Sequence, residues 1–372
     1  MRRYRFPDIV KGIGILLVVL GHATFVPDSV LSYIYSFHMP LFFIISGMLI
    51  YITDSKSHEY PAFLKSRVRR ILIPYAVFSI IYTLIDIVNY RFLHTAVLED
   101  IIINSESSLS LAGSGPLWFL PTLLIAELLF VALLKRLNPA RGLMLSSVCG
   151  IVALCLLPAF RNIYLTCDNI HVRNLPLNLL LVCLRSTVCL IFYVIGYLSA
   201  ILIKAYIDKP SSIKKALPNA CLFCVGTAFL IINFLLSLTN MCKPEYGYSN
   251  VDMHYMDIGN PPVFILRACL GSFGLILIAI SLDCLCEKKP FVYVYRILAF
   301  WGRGSLVIMA THLNCYVLYV ADVFAFAMNN YITRAKDYML ILNIMLAAMT
   351  IESLLLLIIK RFAPGLLGKN HS

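Results

Sequence analysis

Long apolar stretches follow one another along the chain, separated by short polar bands in which Lys and Arg recur. A helix needs about 20 residues, at roughly 1.5 Å each, to cross a hydrocarbon core of about 30 Å. By that measure the pattern predicts ten spans, at about 8–26, 30–52, 71–93, 116–135, 142–160, 178–203, 216–238, 262–284, 304–326 and 340–360. An even number of spans puts both termini on one side of the membrane.

The basic residues say which side, because cytoplasmic loops retain Lys and Arg. With the N-terminus inside, 22 of the 31 basic residues fall in inner segments, among them Arg2, Arg3 and Arg5, Lys65 to Arg70, and Lys360 and Arg361. Only six, Arg91, Arg161, Arg173, Lys243, Arg334 and Lys336, fall in outer loops, and three, Lys11, Arg185 and Arg267, fall within spans. The expected fold is all-α and polytopic, N-in and C-in. The whole chain, 1–372, is expected to be one integral-membrane domain with no appended soluble domain. The opening MRRYR and its apolar run resemble a signal peptide but show no small-residue cleavage site, so they are expected to stay as the first span.

Composition agrees with this pattern. The chain is 60% hydrophobic and only 13% charged, with a mean hydropathy of +0.85, which excludes an ordinary soluble domain. A formal charge of +12 would suggest nucleic acid in a soluble protein, but the loop asymmetry accounts for it here. Twelve cysteines lie mostly in apolar runs without the pairing that metal sites need, so no metal is expected and most read as small fillers, the CLFC at 221–224 included. Cys167 and Cys242 fall in loops placed outside, where a disulfide could persist. The outer stretch at about 239–261 is rich in Tyr and acids, which reads as a solvated connector or as contacts for a polar ligand.

The candidate chemistry lies in the polar residues that interrupt the apolar runs. KGIGILLVVLGHATFV, 11–26, places Lys11 near the inner face and His22 deep in the outer half of one helix. His38, in SFHMPLFFIISG, falls at a similar depth on the returning helix, so the two histidines are placed to meet. Ionisable groups at such depth usually face protein or a watery cavity and mark a working site. In FLKSRVRRILIPY, Arg67 and Arg70 are three apart and share a helix face. They read as positive-inside anchors or, with Lys11 at a matching depth, as a phosphate-binding cluster. Ser305 and His312 are seven apart and share a face; a lone intramembrane histidine is more often structural than chemical. Asp8 is expected beside Lys11, one turn away, and Asp86, Glu127, Arg185 and Arg267 should face protein rather than lipid.

These residues stand in stretches that resemble the acyltransferase-3 family of integral-membrane acyltransferases, in particular its fucose 4-O-acetylase-like branch. The resemblance rests on DIVKGIGILLVVLGH (8–22), SFHMPLFFIISGML (36–49), FLKSRVRRILIPY (63–75), GPLWFLPTLLIAELLF (115–130), YVIGYL (193–198) and WGRGSLVIMATH (301–312), in family order along nearly the whole chain. It implies transfer of an acetyl, succinyl or other acyl group from cytoplasmic acyl-CoA to hydroxyls of surface or lipid-linked sugars, in the cytoplasmic membrane, with acetyl-CoA as donor substrate and no bound cofactor. Lys11 stands where the family usually has arginine, and would meet phosphate as a point charge rather than a fork. Some members carry a further C-terminal periplasmic domain; this chain stops soon after its last span, so acceptor choice is expected to come from the membrane part or a partner, and an oligomer is compatible with the reading.

On that reading Lys11, Arg67 and Arg70 hold the phosphates of coenzyme A. His22 then takes the proton of the attacking hydroxyl or carries the acyl group itself. His38 orients His22, stabilises the oxyanion or serves as the base. Asp8, Ser305, His312, Arg185 and Trp118 are candidates for supporting roles. The rival reading is a transporter or flippase for a polysaccharide or lipid-linked sugar with His22 and His38 as proton relays.

Overall fold

The computed structural model describes residues 4–54, 59–207, 219–239, 250–282, 291–329 and 337–367. In chain order its helices are α1 (Phe6–Gly21), α2 (Asp28–Tyr35), α3 (His38–Ile52), α4 (Tyr60–Val88), α5 (Leu98–Leu109), α6 (Phe119–Arg136), α7 (Pro139–Thr166), α8 (Ile170–Val172), α9 (Asn178–Ile207), α10 (Asn219–Ser237), α11 (Pro261–Ser281), α12 (Phe291–Thr311), α13 (Val317–Met328) and α14 (Asp337–Phe362). Among the described residues nine helical segments are long and apolar enough to cross a membrane. The chain is an all-α, multi-pass membrane protein. Cys242 lies outside the described residues, and Cys221 and Cys224 are exposed on α10 rather than packed inside as fillers.

Three boundaries differ from the periodicity, each for a local reason. The first helix, expected to reach residue 26, has 16 residues and ends at Gly21 with His22 as its C-cap. Beyond it, Phe25 takes a left-handed conformation (φ 65°), and Pro27 keeps its predecessor out of the helical region and starts α2. The second expected span is broken at Phe37, whose φ of −145° separates α2 from α3. The ninth is displaced: α12 already runs from Phe291 to Thr311, and the chain reverses over 312–316 through a left-handed Tyr316 (φ 61°) before α13. His312 therefore sits at a helix end rather than in mid-span.

Helices α1 and α3 form the centre. Of the segments that can cross a membrane, the one containing α3 has the largest buried share, 78%. Glycines let the central helices touch backbone to backbone. A Cβ on Gly12 would run into the backbone of Leu298, and one on Gly302 into that of Asp8, so α1 and α12 lie in direct contact. In the same way Gly47 and Gly196 close α3 against α9. Close backbone approach through small residues is how helices gain van der Waals contact where no hydrophobic force drives them together.

Candidate functional site

Six of the residues singled out in the sequence, Asp8, Lys11, Arg67, Arg70, Glu127 and Ser305, line one cavity of about 400 Å³ at the N-terminal end of α1. Arg303 also lines it, so four cations face two carboxylates. Arg67 Nη2 lies 2.9 Å from Glu127 Oε1, and the Glu127 side chain is only 6% exposed. Arg303 Nη1 lies 3.6 Å from Asp8 Oδ2, so Asp8 faces a second helix as well as its own turn. With Arg67 tied to Glu127, the exposed Arg70 and the half-buried Lys11 add further positive charge to the cavity wall. Arg303, one of the basic residues of the inner segments, reaches this cavity through the α1–α12 contact.

A second cavity, of about 290 Å³, opens at the other end of α1 and is lined by His22, Tyr35, His38 and Trp118 together with residues 250–254. The expected pairing of His22 with His38 is mediated by Tyr35. The ring centroids of Tyr35 lie 6.1 Å from His22 and 5.0 Å from His38. The Tyr35 hydroxyl donates to Gly21 O at 3.2 Å and lies 3.5 Å from His22 Nδ1. His22 makes its closer ring contact with His312, at 5.2 Å between centroids. Tyr35 was hidden in the sequence among other tyrosines near a loop, where an interfacial ring is ordinary.

The proton positions of two of these rings follow from their partners. A carbonyl can only accept, so His38 Nδ1 donates to Ile34 O at 2.8 Å, and His312 Nδ1 donates to Ile308 O at 2.9 Å. In the neutral rings Nε2 then carries the lone pair. His312 is wholly buried, and its Nε2 has no hydrogen-bond partner among the described residues. A buried acceptor without a partner is costly and calls for an explanation. Its neighbour Thr311 donates to the buried Glu352 (2.7 Å to Oε2), an acid of α14 that the sequence reading passed over.

Arg185 and Trp118 shape the cavity from behind. Arg185 Nε donates to Thr122 Oγ1 at 2.7 Å and Nη1 donates to His254 O at 2.6 Å, while the guanidinium lies 4.8 Å from the Trp118 ring centroid. It is fully buried and spends its donors on protein, so it positions the 250–259 segment. Arg267 likewise braces α11 against Asn233 and Ser32.

Ser305 and His312, expected on one face of one helix, are held apart by the length of that face. Ser305 lines the basic cavity, while His312 stands at the opposite end beside His22. Between them Met309 lines both cavities. The walls continue on either side of it: Met39 and Trp118 face the histidine cavity, whereas Phe42 and Phe119, one turn or one residue on, face the basic one. The molecule therefore holds a cationic chamber and an imidazole chamber back to back.

Comparison with known proteins agrees with this arrangement. A family model described as an acyltransferase domain matches residues 4–358. No curated protein matches the chain.

Proposed function

The chain belongs to the acyltransferase-3 family, and from that premise we propose that it is an O-acyltransferase of the cytoplasmic membrane, moving an acetyl group from cytoplasmic acetyl-CoA to a hydroxyl of a cell-surface or lipid-linked saccharide. The observation that carries this reading is the placement of the two cavities. Lys11 and Arg70 stand in one and His22 and His38 in the other, with Met309 between them. Coenzyme A is polyanionic and stays in the cytoplasm, so its phosphates rest in the basic cavity, where charge-assisted contacts are strongest. From Lys11 to His22 the helix rises about 16 Å, the distance over which the pantetheine arm brings its thioester past Met309.

In the imidazole chamber a saccharide hydroxyl attacks the thioester carbonyl. Its proton passes to an imidazole Nε2 as the new C–O bond forms. The tetrahedral intermediate collapses with cleavage of the C–S bond, and the thiolate leaves and takes up the proton as coenzyme A thiol. His22 at the cavity wall is the residue that meets the reacting atoms, either as this base or as the carrier of the acyl group. Tyr35 packs between His22 and His38, and His38, its Nδ1–H given to Ile34 O, offers an Nε2 lone pair as a second acceptor for the proton. His312, with its Nδ1 engaged and its Nε2 free, accepts from His22 or from the hydroxyl itself.

The test is purified protein incubated with labelled acetyl-CoA and a saccharide extract of the producing cells. Label in the saccharide, together with a gain of one acetyl unit in the mass of glycans from cells that contain the chain, is the expected result. Saccharide moved across vesicles without consumption of acetyl-CoA would favour a transporter instead.

A further inference from the structure

A third cavity, of about 300 Å³, lies at the same end of the bundle as His22, and Arg161, Tyr164, Arg173, Asn178, His254 and Tyr255 are among its lining residues. His254 also lines the imidazole chamber, so one ring is shared by the two spaces. That ring has two aromatic partners: it stacks on Tyr255 at 4.3 Å and on Trp118 at 5.8 Å with an interplanar angle of 8°. An aromatic stack therefore stands between the two cavities.

The charge of this third cavity is unusual for its position. Charge patterning assigns six Lys and Arg residues to this end of the molecule, and two of them, Arg161 and Arg173, line this one space. Among the described residues its lining contains no carboxylate; Asp257 and Glu106 stand behind it, bonded to its Arg161 and Asn174. Arg161 is tied to Asp257 at 2.6 Å, which leaves Arg173, half-buried at the wall, as the guanidinium placed to meet a ligand. The Tyr164 hydroxyl, which donates to Asn178 Oδ1 at 2.9 Å, keeps its lone pairs for a further donor. A guanidinium beside phenol and amide groups suits a ligand that is both anionic and polyhydroxylated.

We propose that this cavity seats an acidic unit of the acceptor, a saccharide residue bearing a carboxylate or a phosphate, while the unit to be acylated lies across His254 in the imidazole chamber. The assignment rests on the saccharide-acceptor reading above and adds the anionic character of the acceptor. Arg173 is then a specificity residue: it anchors the neighbouring unit and so decides which hydroxyl reaches His22.

The experiment is saturation-transfer NMR on the full-length, detergent-purified protein, titrated with methyl glucuronide, glucose 1-phosphate and methyl glucoside as probes. At least one anionic probe is expected to bind tenfold or more tightly than the neutral glucoside. Arg173→Gln is expected to abolish that preference and Arg173→Lys to keep most of it, which separates loss of charge from loss of folding. A response to the glucuronide alone assigns a carboxylate, and a response to the phosphate alone assigns a phosphate. Equal affinity for charged and neutral probes, no saturable signal from any of them, or a preference untouched by Arg173→Gln would overturn the proposal. Acetyl-CoA turnover by the wild-type protein in the same preparation is a separate readout. Its absence would remove the acyltransfer reading and leave the anion-binding result standing.

Discussion

The imidazoles of His22 and His312 lie 5.2 Å apart between ring centroids, although 290 residues separate them in the chain. The contact exists because α1 and α12 meet at glycines about ten residues before these rings, Gly12 against Leu298 and Gly302 against Asp8. A side chain at either glycine must push the helices apart. Gly302→Leu is expected to destabilise the protein by about 1–3 kcal/mol and to cost more activity than stability, because a small misplacement of reacting groups is expensive. Gly365→Leu, at a glycine with open space around it, is the control. Thermal unfolding in detergent and acetyl-CoA turnover measure the two effects.

Arg67 and Arg70 share a helix face but are expected to behave differently. Arg67→Ala leaves the buried Glu127 without its 2.9 Å partner, so it should lower thermal stability as well as donor use. Glu127→Gln in the same chain should restore the stability and leave the donor defect. Arg70 is exposed at the same cavity, and Arg70→Ala should raise the KM for acetyl-CoA several-fold with no change in unfolding temperature. An unchanged KM would return Arg70 to the role of a membrane anchor.

Met309 separates the two cavities, so its bulk should decide what passes. Met309→Trp is expected to block turnover, while Met309→Ala should admit longer acyl chains and raise butyryl-CoA use relative to acetyl-CoA. A chain-length profile identical to wild type in Met309→Ala would place the donor path elsewhere.

Much of this site was legible as depth. Counting residues along helices placed Lys11, Arg67 and Arg70 at one level, and the structure shows them in one cavity. It also placed His22 and His38 at another level, and they line a second cavity. The nearest neighbour of His22 was not legible, because it depends on the reversal at 312–316. LNCYV there continues an apolar run, and periodicity alone reads through it. Tyr35 was overlooked because the break between α2 and α3 at Phe37 turns an ordinary interfacial tyrosine inward. The 250–259 segment folds over the cavity through contacts with Arg185 and Trp118, partners more than 60 residues away in the chain that no local pattern announces.

The same segment carries a pH dependence. Burial, and then the Arg185 guanidinium, push the His254 pKa down to about 3. A released imidazole titrates near 6.5, so between those values the released state binds the extra proton and the seated state does not. The seated position is therefore at full strength above about 6.5 and weakens as the pH falls toward 3. Trp118 emission, which reports the stacked ring, should change reversibly on acidification, and His254→Gln should lose that change. A flat emission from pH 7 to pH 4 would show that His254 stays seated when protonated.

The central claim is that the acyl group passes from the cavity of Lys11 to that of His22, from one side of the membrane to the other. Inverted cytoplasmic-membrane vesicles, with labelled acetyl-CoA outside and the saccharide acceptor within, measure this directly. Label is expected in luminal saccharide, protected from added esterase, and His22→Ala is expected to lower it by about 10²-fold or more while the protein remains in the membrane. Undiminished labelling in His22→Ala, or label found only on saccharide outside the vesicles, would contradict the account.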